Sequence, residues 1–158
     1  MPRAKISPTI ELEYDTFGDS KNPALVLIEG HGAQMVKWDP EYCKMFVAKN
    51  LFVIRFDNRD CGLSTKFDGI EVDLGATLTA ALLEEPVPPV PYTLSDMASD
   101  VVGLLDSLKI DRAHIFGVSL GGGHNGAAGA KITKDKLDEF LKYLEVNVVN
   151  VSNTSSSK

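Results

Sequence analysis

A chain of 158 residues, 44% hydrophobic and 24% charged, is long enough for one domain to bury its own core, and its composition excludes wholesale disorder and collagen-like or mucin-like repeats. No apolar run in it nears the ~18 residues that a membrane-spanning helix requires. Sixteen Lys and Arg against twenty-two Asp and Glu leave a net charge of −6 with no basic cluster, so neither a nucleic-acid nor a membrane partner is expected.

The opening residues Met1 to Ile6 lack the apolar core of a secretory signal, which makes the cytoplasm the expected compartment. Ile10 to Tyr14 alternates apolar and acidic residues as a half-exposed strand does, and Gly18-Asp19-Ser20 turns the chain. Ala24 to Ile28 is a continuous apolar run, the pattern of a strand covered on both faces. Asp39-Pro40 supplies an N-cap and a first-turn proline for a helix ending near Ala48, and Leu51 to Phe56 is a second buried strand. Residues 67 to 91 read as loop, with a short helix about Leu78 to Leu83 and extended backbone through Pro86, Pro88, Pro89 and Pro91. Thr93-Leu94-Ser95-Asp96 predicts a capping box opening a helix whose apolar face is Met97, Val101, Leu104, Leu105 and Leu108. Ala113 to Val118 is a third buried strand. Strands alternating with helices in this way predict an α/β fold built on a mainly parallel sheet with flanking helices.

Beyond residue 122 the character changes. Gly121, Gly122, Gly123, Gly126 and Gly129 make Leu120 to Ala130 poor helix material. Thr133 is expected to cap a helix over about 133–144, lined by Leu137, Phe140, Leu141 and Leu144. A strand over 145–151 and a Ser/Asn-rich frayed end follow. The Asn150 and Asn153 glycosylation acceptor sequences are incidental without an export signal. Cys43 and Cys61 are too sparse for a disulfide framework or a zinc site and read as reduced, partly buried thiols. No metal or organic cofactor is expected.

Gly117-Val118-Ser119-Leu120-Gly121 matches G-x-S-x-G directly after an apolar strand. In a nucleophile elbow the serine sits on a tight strand-to-helix turn, and small residues two before and two after it let the backbone pass closely. Ser119 would be the nucleophile, and the backbone N–H of Leu120 would face the developing oxyanion. A phosphate-loop reading fails, because Gly123-His124 stands where Lys and Ser/Thr are required. His31-Gly32-Ala33 follows the first buried strand, where an H-G-x loop can supply a second oxyanion donor: Ala33, with Gln34 as the runner-up. His31 itself reads as a loop histidine bonded locally. The charges of Asp57-Asn58-Arg59-Asp60 read as loop-bracing groups, and Met35, Trp38 and Phe67 as packing.

Taken together, residues 10 to 122 resemble the N-terminal half of an α/β-hydrolase-fold protein. The resemblance lies in Gly30-His31-Gly32-Ala33-Gln34-Met35, Trp38, and Arg55-Phe56-Asp57-Asn58-Arg59-Asp60-Cys61-Gly62-Leu63-Ser64. It continues through Tyr92-Thr93-Leu94-Ser95-Asp96-Met97-Ala98 and Ile115-Phe116-Gly117-Val118-Ser119-Leu120-Gly121-Gly122. The nearest branch is that of aclacinomycin-methylesterase-like esterases. The resemblance implies Ser119 as nucleophile, with Ala33 and Leu120 forming the oxyanion hole and a small ester-type molecule as substrate.

The family's triad runs Ser, then Asp or Glu, then His. Here 39 residues follow Ser119, and His124 is the one histidine among them. Five positions past the nucleophile, His124 falls on the elbow turn or its helix. Asp135, Asp138, Glu139 and Glu145 read as solvated charge on an amphipathic helix. The triad's acid and base are therefore unassigned, and weak or absent turnover is expected of this chain. The alternative is a noncatalytic, truncated pseudo-hydrolase serving as a binding or self-association module. A third reading has a second chain cover the open sheet edge and complete the site. Residues 123–158 do not match the family. One arrangement has 133–144 cross back so that 146–151 pairs beside the elbow strand.

Overall fold

The computed structural model describes residues 1–118 and 128–133. Ser119, Leu120, His124, Asp135, Asp138, Glu139 and Glu145 lie outside the described residues, as do the expected helix past Thr133 and the strand at 145–151.

Among the described residues the strands are β1 (Arg3–Lys5), β2 (Glu11–Phe17), β3 (Ala24–Ile28), β4 (Phe52–Phe56), β5 (Arg112–Gly117) and β6 (Ala128–Thr133). They form one sheet in the order β1-β2-β4-β3-β5-β6. Its middle is parallel: Ala24 of β3 pairs with Phe52 of β4 on one side and with Ala113 of β5 on the other. The flanks β1–β2, β2–β4 and β5–β6 are antiparallel. The helices are α1 (Pro40–Val47), α2 (Leu74–Leu82) and α3 (Leu94–Ser107).

The period-2 alternation of strands explains the two-sided core. Ala24 and Val26 of β3, with Phe52, Ile54 and Phe56 of β4, point to the face covered by Val101, Leu104 and Leu105 of α3. Leu25 and Leu27, with Val53, point to the opposite face and meet Trp38 and Cys43. That is why neither central strand alternates with polar residues: each lies between two layers. Arg55 is the exception on the second face. One of its Nη atoms donates to Asp15 at 2.8 Å and the other to the Trp38 carbonyl oxygen, and its guanidinium stands 4.9 Å from the Phe17 ring centre.

Local chemistry sets the helix starts. The Asp39 side chain accepts the Glu41 N–H at 2.7 Å ahead of Pro40. Thr93 and Asp96 form the full capping box of α3, which holds the Asp96 carboxyl below its usual range, chiefly through the Thr93 hydroxyl. The Asp73 side chain accepts the Ala76 N–H at 2.9 Å and starts α2 at Leu74, four residues before the helix expected about Leu78 to Leu83.

Three features differ from expectation. β1 is a strand of three residues with a single apolar member, too short for a periodic pattern. Ala128–Thr133 is a strand, β6, in a stretch where no element was expected before Thr133. The place beside β5 that the sequence offered to 146–151 is taken by β6, running antiparallel with Gly117 opposite Ala128 and Arg112 opposite Thr133. A return over so few residues can only be antiparallel, since a parallel neighbour needs a crossover of a dozen residues or more.

Candidate active site

In parallel sheets, ligands gather at the carboxyl ends of the strands, where the loops diverge. Here β3, β4 and β5 all end on one edge. The register Ile28–Gly117 continues one step, with the Val118 N–H donating to the Ile28 carbonyl at 3.1 Å. The loop after β3 therefore starts beside the end of β5.

That loop is held at three points by the segment following β4. Asp57 accepts the Met35 N–H at 2.8 Å on one carboxylate oxygen and the Leu63 N–H at 2.9 Å on the other. The Asn58 amide donates to the Glu29 carbonyl at 3.0 Å, and the Cys61 thiol donates to the Ala33 carbonyl at 3.1 Å. Ser64 closes the segment on itself: its hydroxyl donates to the Asp57 carbonyl at 2.6 Å and accepts the Glu13 N–H at 3.0 Å. Asp57, Asn58 and Ser64 are all buried. Buried polar groups are stable only when bonded, so each of these contacts fixes the loop path as well as satisfying an atom.

Gly62 makes the Asp57 arrangement possible. Its φ of +48° lies in the left-handed region, and a Cβ placed there would stand 1.8 Å from the Asp57 Oδ2. Only a residue without a side chain lets the carboxylate lie against the backbone.

Arg59 ties the same segment to α3. Its Nε and Nη2 donate to the two Asp100 carboxylate oxygens at 2.6 and 2.7 Å, and Nη2 also reaches the Asp96 carbonyl at 3.2 Å. Both side chains of this pair are at most 10% exposed. The Asp100 hydrogen bonds hold the guanidinium more firmly protonated than usual. The guanidinium also stands 6.0 Å from the Phe67 ring centre and 5.6 Å from that of Tyr92. The Tyr92 hydroxyl donates to Asp60 at 3.4 Å, and burial, with the Asp60 charge next in weight, pushes the phenol up.

Between the loop after β3 and the start of α3 lies a cleft of about 420 Å³ whose walls include His31, Asn58, Arg59, Cys61, Tyr92 and Met97. A volume of this order suits a small molecule. Its polar groups are mostly committed to the bracing just described, so it offers shape and a few polar edges more than free charge. Cys61 and Cys43 are free, buried thiols, and burial is the main cause that pushes both up, away from the reactive thiolate.

The sequence-assigned residues meet different outcomes. Ala33 is buried beside this cleft, and its N–H donates to the Gly30 carbonyl at 3.2 Å, closing a turn. Gln34 is exposed, and its N–H donates no hydrogen bond among the described residues. His31 is exposed on the cleft wall and makes no hydrogen bond among the described residues, contrary to the locally bonded histidine expected there. The reading of 57–60 as bracing groups holds, and Met35 and Trp38 are core residues, 1% and 6% exposed. Phe67 packs on Tyr92 with ring centres 5.2 Å apart. Among the described residues no group of His, Cys, Asp and Glu could hold a metal ion.

Two residues at this edge carried no assignment. Glu29 is a buried carboxylate whose side chain accepts the Gly30 N–H at 3.3 Å. Asp100 interrupts the apolar face of α3, and a carboxylate in that position signals a buried cationic partner.

No family model matches the chain. The rhodomycin D methylesterase DauP of Streptomyces sp. (strain C5) is 30% identical over 112 residues, 71% of this chain and 32% of the relative. A Variovorax paradoxus relative named for carbamate hydrolysis is 27% identical over 147 residues, 93% of this chain and 46% of its own length, so that match runs past residue 122. Among solved structures, the enol-lactonase of Burkholderia xenovorans LB400 superposes with a TM-score of 0.55 at 31% identity, over 77% of this chain and 38% of that one. The chain thus spans less than half the length of each of these three proteins.

Proposed function

Because the chain belongs to the α/β-hydrolase-fold superfamily and covers its N-terminal portion, we propose that it carries the nucleophile half of a serine hydrolase acting on an ester or similar acyl bond of a small molecule. Ser119 is the nucleophile. The observation that supports this reading is the pairing of β5 with β3 through Gly117, with the Val118 N–H on the Ile28 carbonyl, so that the residue preceding Ser119 in sequence lies at the carboxyl edge where the loop after β3 begins. The likeness to a methylesterase and an enol-lactonase supports acyl chemistry.

In the reaction the Ser119 oxygen attacks the substrate's carbonyl carbon as its proton passes to a water molecule, and the carbonyl oxygen becomes an oxyanion. Backbone N–H groups of Leu120 and of the loop after β3 donate to that oxyanion. Ala33 is the donor of choice in the loop. Since its N–H closes the turn to Gly30 in this structure, donation requires that turn to open, or Gln34 serves in its place. Collapse of the adduct breaks the bond to the leaving oxygen, which takes a proton back from water and departs as the alcohol; water then hydrolyses the acyl-serine, releasing the acid and restoring the Ser119 hydroxyl.

Of the triad only the nucleophile has an assignment, and slow turnover is the outcome expected of these 158 residues by themselves. Sites stripped of triad members retain about 10³–10⁴-fold catalysis over water from the oxyanion hole and binding. Hydrolysis of p-nitrophenyl acetate followed by absorbance is expected to be slow but faster with this chain than with Ser119→Ala. Equal rates for the two proteins contradict the assignment.

A further inference from the structure

The amino-terminal edge of the sheet, at the far end of β3 and β5 from the candidate active site, carries a second cleft of about 380 Å³. Two turns build it. One is Ser20 to Pro23, entering β3, and the other is Lys109 to Asp111, entering β5. Because β3 and β5 pair in parallel with Ala24 opposite Ala113, these turns are forced side by side. The second turn is held firmly: Lys109 lies in the left-handed region at φ 58°, with its N–H on the Asp106 carbonyl at 3.0 Å and the Ile110 N–H on the Leu105 carbonyl at 2.9 Å.

The charge around this cleft runs against the chain as a whole. Lys21, Lys109, Arg112 and His114 line it, with Asp111 as the one carboxylate. With His114 neutral the lining still has two positive charges in excess, in a protein whose net charge is −6. Among the described residues none of these four side chains, nor that of Asp111, makes an ion pair or hydrogen bond. Cations crowded around a concavity repel one another, and an anion seated among them relieves that repulsion. Ser20 and Asn22 add neutral hydrogen-bonding groups, while Pro23 and Ala113 give an apolar floor.

We infer that this amino-edge cleft binds a phosphate dianion, either free or as the phosphomonoester of a small molecule, with Lys21, Lys109 and Arg112 as its charged contacts. A guanidinium can fork onto two oxygens of a phosphate, and the two ammonium groups on the same lining can meet the third oxygen and the second negative charge, which a monoanionic carboxylate lacks. The size of the cleft and the acidity of the rest of the surface argue for a small ligand over a nucleic acid.

Calorimetric titration of the full chain with inorganic phosphate and, separately, with glycerol 2-phosphate tests this at low salt. Saturable binding with a dissociation constant of about 1 mM or below is expected for at least one probe. Arg112→Gln and Lys21→Gln are each expected to weaken it about tenfold, with circular dichroism confirming that both fold; both residues are exposed. Lys37→Gln, on the opposite edge, is expected to bind as the parent does. Tighter binding of the ester assigns a phosphorylated small molecule, and tighter binding of phosphate assigns the free ion. Absence of saturable binding by either probe, or equal affinity in Arg112→Gln, Lys21→Gln and the parent, overturns the proposal. Neither result depends on Ser119.

Discussion

Gly62→Ala is expected to lower the unfolding free energy by about 3–5 kcal/mol, combining left-handed backbone strain, overpacking and loss of the Asp57 hydrogen bonds. The new methyl group would occupy the space of the Asp57 carboxylate, 1.8 Å from Oδ2. The carboxylate would have to withdraw from the Met35 and Leu63 amides, leaving the buried Met35 donor unpaired. Gly69→Ala is the matched control. Gly69 also has a positive φ, of 80°, but an added Cβ meets nothing within 4 Å, so only the backbone strain of about 1–2 kcal/mol applies. Urea unfolding of the two variants checks the difference. Equal losses would mean that the Asp57 brace contributes nothing beyond the glycine conformation.

Asp100→Ala is expected to cost about 3 kcal/mol or more, because it leaves the Arg59 guanidinium without its paired carboxylate among buried groups. The geometry is bidentate, at 2.6 and 2.7 Å, with both partners nearly closed to solvent. The loss falls on more than one contact, since Arg59 also positions the Phe67 and Tyr92 rings. The exposed Lys44–Glu41 pair offers the contrast: its side chains are 62% and 80% exposed, and Glu41→Ala is expected to leave the unfolding midpoint where it was. An Asp100→Ala midpoint as close to the parent's as that of Glu41→Ala would contradict the reading of Arg59–Asp100 as the tie between the β4 loop and α3.

These two sites also show what could be read from the sequence alone. The central strands β3 and β4 were legible because both are buried almost throughout, and continuous apolar runs have few other stable uses, whereas β5, read as a third buried strand, alternates and leaves His114 exposed. The start of α3 was legible because Thr93 and Asp96 stand at capping-box spacing and do cap it. Asp100 left a trace, as a carboxylate in an otherwise apolar helix face. Its partner lies 41 residues earlier, however, and nothing local pairs the two. The Asp57 brace was readable only as a class, a charged loop held by hydrogen bonds. Which amides it takes depends on the loop after β3 folding back over 22 residues of separation. β1 and β6 were missed because a strand at a sheet edge needs little apolar patterning when its neighbour supplies the hydrogen bonds.

The amino-edge cleft was invisible for a related reason. Lys21 and Arg112 are 91 positions apart and belong to no basic run. Parallel pairing of β3 with β5 is what brings their turns together.

The central claim is that Ser119 is held as a nucleophile. Intact-mass measurement after incubation with a fluorophosphonate probe, on the parent chain and on Ser119→Ala, tests it most directly. The account predicts slow addition of one probe mass to the parent and none to the variant. No addition to the parent, or equal addition to both, would contradict it.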